Sequence, residues 1–323
     1  MFTDYKIAYM RKHVKVREEL PLSFLRQTVS YVLSHSAAKI PHAAAITEFD
    51  VTPLVEYGKA ATKKAGEGVE PLDEKALLRR ALNRNFSAFF IKAIGHVLHE
   101  VPALNAFLDY SIYRNGGTLY HAEDVNLSIT VHTKHGVMRP IIRNPHKKTL
   151  DQVAQEARVL ARKARRTDPN KLYRKAAVAY MKTAVRELDF RGLGGLWCMM
   201  RDLVWKRYES DLGLGDVPEE DQLQVEDVLG ATMTLANIGM MLPAHQTVTV
   251  IIPPEVFMLG IGDLHLAPRV VNGEIVKRYV MTVCGTMDHR AFDAGEGFPF
   301  HNAMRKYIDN PALIYEWKEG DPN

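Results

Sequence analysis

The stretch Thr286-Met-Asp-His-Arg-Ala-Phe-Asp-Ala-Gly-Glu-Gly297 gathers Asp288, His289, Arg290 and Asp293 at the end of an apolar run, Tyr279 to Cys284, that reads as a strand. A helix-like pattern from Phe298 to Ile308 follows it. Buried charge is costly unless paired, so the cluster is either an ion-pair lock or a site. Of these side chains only an imidazole ordinarily titrates near neutrality, at about 6.5. His289 is therefore the member of the cluster suited to proton transfer near neutral pH. A lone strand-end histidine is more often a satisfied core residue. The charged and small residues that continue through Asp293 favour a site.

Such a group needs a rigid frame. The chain has 323 residues, 46% of them hydrophobic, enough for one large domain or two small ones. A charged fraction of 25% is ordinary, and a net charge of +4 is too mild and dispersed for a nucleic-acid partner. Cys198 and Cys284 give no disulfide framework and suit a reducing, cytoplasmic setting. Met1 to Leu20 carries Asp4, Glu18 and Glu19 and no apolar block, so neither a secretory signal nor a targeting peptide is expected. No apolar run reaches a membrane span, and no metal centre is expected.

Helical spacing of Leu22, Leu25, Val29, Val32 and Leu33 predicts a helix over 22–36, with Arg26 inside it. Read from the residues alone, Arg26 is a solvated helix arginine. A strand follows from Ile40 to Asp50, then a helix with Asp50 or Thr52 as N-cap and Pro53 in its first turn. Gly66 to Pro71 reads as a loop and Phe86 to Leu98 as an apolar helix. Short strands are expected at 111–113, 118–120 and 125–131, with a hairpin turn at Asn115-Gly-Gly117. Amphipathic helices are expected over 149–165 and 172–188. The runs Leu193 to Met200 and Leu203 to Trp205 are apolar enough to need a partner surface, on the body, another subunit or another protein. A membrane-surface helix using Trp197, Arg201, Trp205, Lys206 and Arg207 is the weaker reading of that stretch. Leu212 to Gln224 reads as a loop. Strands are then expected over 230–239 and 247–252, and a long hairpin turning at Asn272-Gly273 delivers the histidine.

Taken together, the helix with Arg26, the Pro41-His42 strand, Asp50-Val-Thr, Val101-Pro-Ala-Leu-Asn105, Gly136-Val-Met-Arg-Pro-Ile-Ile-Arg143 and Asp288-His-Arg-Ala-Phe-Asp-Ala294 carry a resemblance. In this order and spacing the chain resembles the catalytic domain of the dihydrolipoamide acyltransferases of 2-oxo acid dehydrogenase complexes, and more distantly chloramphenicol acetyltransferase. The likeness covers about 22–165 and 228–315 and is broken by a helical insertion at about 166–228. It implies an α/β fold, a chloramphenicol acetyltransferase-like mixed sheet flanked by helices. It implies one catalytic-type domain over 1–323, with no lipoyl or subunit-binding domain. A lipoyl group would then come from another chain, unless the acceptor is a free small molecule. Coenzyme A or its acyl thioester is the implied substrate and His289 the implied base, with no acyl-enzyme. Asp293 is implied to pair with Arg26, and Met138 and Arg139 to line the substrate channel. The implied assembly is a homotrimer in which His289 faces the Ala236 strand of a neighbour. A larger cage would be joined through 310–315, although Glu316 to Asn323 extends past that joint. The insertion is the expected docking place for a protein partner.

Two departures from the family pattern matter. The serine or threonine whose hydroxyl steadies the oxyanion falls at Ala236, which has no donor. Loss of one such donor typically costs roughly 100- to 1,000-fold. Thr234 is a possible substitute on the same strand face, displaced by about 6.5–7 Å. Ala294 replaces a glycine, where a glycine-only backbone would be strained by alanine unless Gly295 takes over. These departures support an alternative reading, a weak or inactive scaffold subunit. Retention of His289, Arg290, Asp293 and Arg26 together supports the acyltransferase.

Overall fold

The computed structural model describes residues 2–65, 73–83, 85–111, 115–187, 217–239 and 246–321. Helices α1 (Phe2–His13) and α2 (Phe24–Lys39) lead into β1 (His42–Asp50). Then come α3 (Thr52–Ala65), α4 (Glu74–Asn83), α5 (Phe86–Glu100), β2 (Ala106–Ser111) and β3 (Gly116–His121). The short strands β4 (Asn126–Ile129), β5 (Val131–Thr133), β6 (Gly136–Met138) and β7 (Ile141–Arg143) precede α6 (Leu150–Arg166) and α7 (Pro169–Arg186). The chain closes with β8 (Met233–Asn237), β9 (Phe257–Val271), β10 (Glu274–Asp288), α8 (Ala294–Asp309) and α9 (Ala312–Tyr315).

Six strands form one mixed sheet in the order β1-β10-β9-β8-β4-β7. β8 runs parallel to both β9 and β4, and the remaining pairs are antiparallel. This is the expected α/β architecture of a mixed sheet flanked by helices. Its longest unit is the β9–β10 hairpin. Asn272 and Gly273 turn it with φ of 53° and 86°, positive at both central residues as a type I′ turn requires.

Alternation of side chains across a strand gives the sheet two different faces. Met233, Leu235, Phe257, Leu259, Ile261, Met281 and Val283 join the main core with α5. That helix is apolar on every side because it is enclosed: Ala88 to Leu98 are all buried. On the opposite face Ala236 and Met258 pack with Ile40 and Ile251 in a small separate cluster. The alternation leaves Thr234 on that second face too.

The strand expected over 247–252 does not form. The segment instead lies across the second face and finds partners among side chains. Ser36 Oγ donates to Ile251 O at 2.5 Å, and the Ile251 N–H donates to His42 Nε2 at 3.2 Å. Thr249 and Thr286 hydroxyls meet at 2.9 Å. Backbone groups satisfied in this way have no need of a ladder. The helix after the histidine begins at Ala294, earlier than the pattern from Phe298 suggested. Leu193 to Met200 and Leu203 to Trp205 lie outside the described residues. Within those residues no helix is long and apolar enough to cross a membrane.

Candidate active site

His289 is the first residue beyond β10. Strand β10 ends where the Asp288 N–H donates to Val256 O at 2.8 Å, and the His289 N–H is held by Pro41 O at 3.1 Å. Asp288 and Arg290 form the lock for this turn. The Asp288 carboxylate is 1% exposed and takes bonds from Arg290 Nε at 2.9 Å, Nη2 at 2.7 Å and the Arg290 backbone N–H at 3.0 Å. A bidentate arginine is the partner such a buried carboxylate needs. Arg290 also lies over the Tyr110 ring, 5.2 Å from its centroid.

The lock does not engage the imidazole. His289 is half open to solvent, with 48% of its side chain exposed, and its Nδ1 lies 3.0 Å from Asp293 Oδ1. A carboxylate at Nδ1 favours the tautomer with its proton there, which leaves the lone pair on Nε2. Asp293 thus faces His289 and not Arg26 as expected. Arg26 sits exposed on α2 and makes no ion pair among the described residues; Asp293, at the start of α8, is close to the histidine in sequence and in space. Its own N–H donates to Glu296 Oε2 at 2.8 Å, which anchors the loop. The strain expected at Ala294 is absent as well. Neither it nor Gly295 has a positive φ, and a Cβ at Gly295 would meet nothing within 4 Å.

Ala236, the position expected to steady an oxyanion, lies elsewhere in the chain. Ala236 pairs with Gly260, which pairs with Cys284. His289 lies beyond Cys284 by roughly 16 Å of strand and two strand spacings, about 10 Å, to one side. His289 and Ala236 of one chain therefore do not form one site, and a site using both takes them from two copies.

Beside Ala236 lies a polar cluster. Thr234 Oγ1 donates to Glu255 Oε1 at 3.0 Å and accepts from Arg139 Nη1 at 3.3 Å. Arg139 Nη1 is 3.5 Å from Glu255 Oε1. The Thr234 hydroxyl is thus engaged by both Glu255 and Arg139. Arg139 is 30% exposed at its side chain, but Met138, expected to line a channel with it, is fully buried in the main core. Met138 ends β6 with its side chain in the core, and Arg139, the first residue beyond that strand, is the one that reaches the second face. Glu255 was not singled out from the sequence. Its signal was a single acidic residue inside the apolar run Ile251 to Ile261.

Burial pushes the Glu255 carboxyl up to about 7, against the opposing pull of Arg139 and the Thr234 bonds. The native state then holds a proton between pH 4.5 and 7 that the unfolded chain has released. Stability from this group is full below about pH 4.5 and is lost as pH rises through 7, by about 3 kcal/mol at 1.36 kcal/mol per unit. Urea unfolding of the parent and Glu255→Gln at pH 5 and pH 8 checks this, because all other groups cancel in the difference. The glutamine variant should gain on the parent by about 3 kcal/mol between the two pH values. An unchanged gap would refute the neutral-acid assignment.

The family model for the catalytic domain of 2-oxoacid dehydrogenase acyltransferases matches residues 15–171 and 214–316. Residues 172–213, which hold most of α7, lie between the two matched stretches. The acetyltransferase component of the Staphylococcus aureus pyruvate dehydrogenase complex is 24% identical over 298 residues, 92% of this chain and 52% of that protein. The chain thus spans about half the length of the curated relatives it matches. The crystal structure of Azotobacter vinelandii dihydrolipoamide acetyltransferase superposes with a TM-score of 0.64 at 22% identity, covering 94% of this chain and 95% of that one. The cubic core of a pyruvate dehydrogenase complex superposes with a TM-score of 0.61 at 20% identity, covering 94% and 95%.

Proposed function

The chain belongs to the 2-oxoacid dehydrogenase acyltransferase (catalytic domain) family, and from that premise we propose that it transfers an acyl group between coenzyme A and a lipoyl-type thiol. In this reading His289 of one copy serves as base beside the Ala236 strand of another. The half-open imidazole with Asp293 at its Nδ1 carries the reading: it is a base set outward at a strand end, and nothing in the core needs it there. Nε2 takes the thiol proton, the thiolate attacks the thioester carbonyl, and the imidazolium returns the proton to the departing thiol. No acyl-enzyme is required.

A shared site requires assembly, and a homotrimer is the arrangement we infer. The outer half of the β9–β10 hairpin exposes Leu266 (57%), Val270 (71%) and Ile275 (78%), an apolar edge suited to another copy. Cages of trimers are a further step. Helix α9 here turns onto its own chain, with Ile314 buried and Tyr315 against Phe89 and Tyr57, and offers Leu313 outward.

The second reading, an inactive scaffold, rests on the missing hydroxyl at Ala236, whose methyl packs with Ile40, Ile251 and Met258. Incubation with a panel of acyl-coenzyme A thioesters and dihydrolipoamide separates the two, read as thiol release alongside particle mass by light scattering. Acyl transfer by an oligomer supports the enzyme. An oligomer with no turnover on any thioester supports the scaffold, and a monomer removes the shared site.

A further inference from the structure

The oxyanion position lacks its hydroxyl at Ala236, yet the same sheet face holds a cation. The backbone places it there. Ile129 pairs with Leu235, and the Ile129 N–H donates to Pro140 O at 2.9 Å. The Thr130 N–H donates to Leu235 O at 3.2 Å. The main chain at Arg139 is therefore level with the Leu235–Ala236 end of β8, one strand removed, and its guanidinium reaches across to Thr234. Thr234 and Ala236 lie about 6.5–7 Å apart on one strand face, so a side chain spanning from one level to the other passes beside Ala236. We propose that Arg139 is the oxyanion-stabilising residue of this chain, taking the place of the hydroxyl that position 236 lacks. This rests on the acyltransferase reading above.

Two observations support it. Arg139 has a partly exposed guanidinium with five donors, of which the contacts with Thr234 and Glu255 engage only Nη1. Glu255 and Thr234 act as positioning residues: buried, bonded to each other, and fixing one edge of the fork. Glu255 Oε2 remains buried without a partner, as in a site that substrate completes.

The step balances. As the attacking sulfur bonds to the thioester carbon, the carbonyl π pair moves onto oxygen, and the guanidinium N–H groups receive that charge. Collapse restores the carbonyl and expels the leaving thiolate, which takes its proton from the imidazolium. A planar fork that stays charged at any working pH suits a short-lived oxyanion.

The test compares kcat for acyl transfer in the parent, Arg139→Gln, Arg139→Gln with Ala236→Ser, and Ala236→Ser alone. Loss of the donor should lower kcat by about 100- to 1,000-fold with a smaller change in KM. Restoring a hydroxyl at 236 should recover at least about tenfold of that loss, which a merely structural role for Arg139 would not allow. If Arg139→Gln does not fold, the pair Arg139→Gln with Glu255→Gln, which leaves no unpaired buried charge, takes its place. Full activity in Arg139→Gln overturns the proposal, as does a loss that serine at 236 cannot repair. An inactive parent with an active Ala236→Ser variant overturns Arg139 while leaving the acyltransferase reading intact. Inactivity of both overturns that reading itself.

Discussion

Replacing His289 with alanine is expected to lower kcat for acyl transfer by about 100- to 10,000-fold, the usual span for removing a positioned base. Unfolding free energy should stay within about 0.5 kcal/mol of the parent. The two expectations separate because of where the ring sits. It is half exposed and outside the hydrophobic core, and the backbone bond to Pro41 O survives the substitution. The turn is fixed by Asp288 and Arg290, which the substitution does not touch. An interaction made chiefly in the transition state lowers kcat and kcat/KM together, so KM should move little. Asp293→Asn should cost less, since the amide still holds a polar atom near Nδ1 while losing the charge that favours the imidazolium. Because the register separates His289 from Ala236 within one chain, specific activity should also fall on dilution, in step with the loss of particle mass. A His289→Ala protein with parental turnover would end the role of the imidazole. Activity per chain that persists in a monomer would end the shared site.

The residues that carried most information in the sequence are those whose chemistry is local. Asn272-Gly273 turns as a type I′ hairpin because two adjacent positive φ values are needed there. The cap residues at Thr149 and Gln152 fix the start of α6 by bonds confined to that first turn, at 3.3 and 2.7 Å. The apolar run of α5 announces its own burial. What escaped was set by contacts distant in sequence. The segment 247–252 has a strand's composition, but Ser36, His42 and Thr286, all far along the chain, take its backbone and side-chain bonds. Met138 and Arg139 were read together, but Met138 is buried in the core and only Arg139, just past the end of β6, reaches Thr234. The pair expected between Arg26 and Asp293 gave way to a nearer partner, His289. Glu255 becomes visible only when three separate segments bring Arg139, Thr234 and Glu255 to one place on the sheet.

Acid should unfold the chain through two histidines that have no part in the reaction. His96 on α5 and His146 after β7 are buried, and neither ring has a hydrogen-bond partner on either nitrogen. Burial, followed by the nearby cations, drives His96 down to about 3 and His146 to about 4. For His96 the charges are Lys92, His146, Lys306 and His99; for His146 they are His99, Lys147 and Lys92, with Asp124 opposing. Lys92 Nζ itself donates to His146 O and Lys148 O and lies 3.5 Å over the Trp317 ring; burial lowers its pKa to about 7, so below that pH its charge opposes protonation of both imidazoles. The native state keeps the rings neutral, whereas the unfolded chain protonates them below about 6.5. Their contribution is full above that pH and is lost as pH falls through the native values. Their mutual repulsion belongs to both, so the pair together is worth on the order of 5 kcal/mol at 1.36 kcal/mol per unit. That is comparable to the whole stability of an ordinary domain, about 5–15 kcal/mol. The neutral Glu255 works in the opposite sense over part of the same range and softens the slope without reversing it. Urea unfolding at pH 7, 5.5 and 4.5 should show a steep loss in the parent and a much flatter one in His96→Leu with His146→Leu. At pH 7 that double variant should be near parental stability, because it exchanges unpartnered polar groups for apolar ones of similar bulk. Equal acid slopes in the two proteins would clear the histidines. A variant already weakened by more than about 2 kcal/mol at pH 7 would mean that the rings support the fold through packing and not through their neutrality.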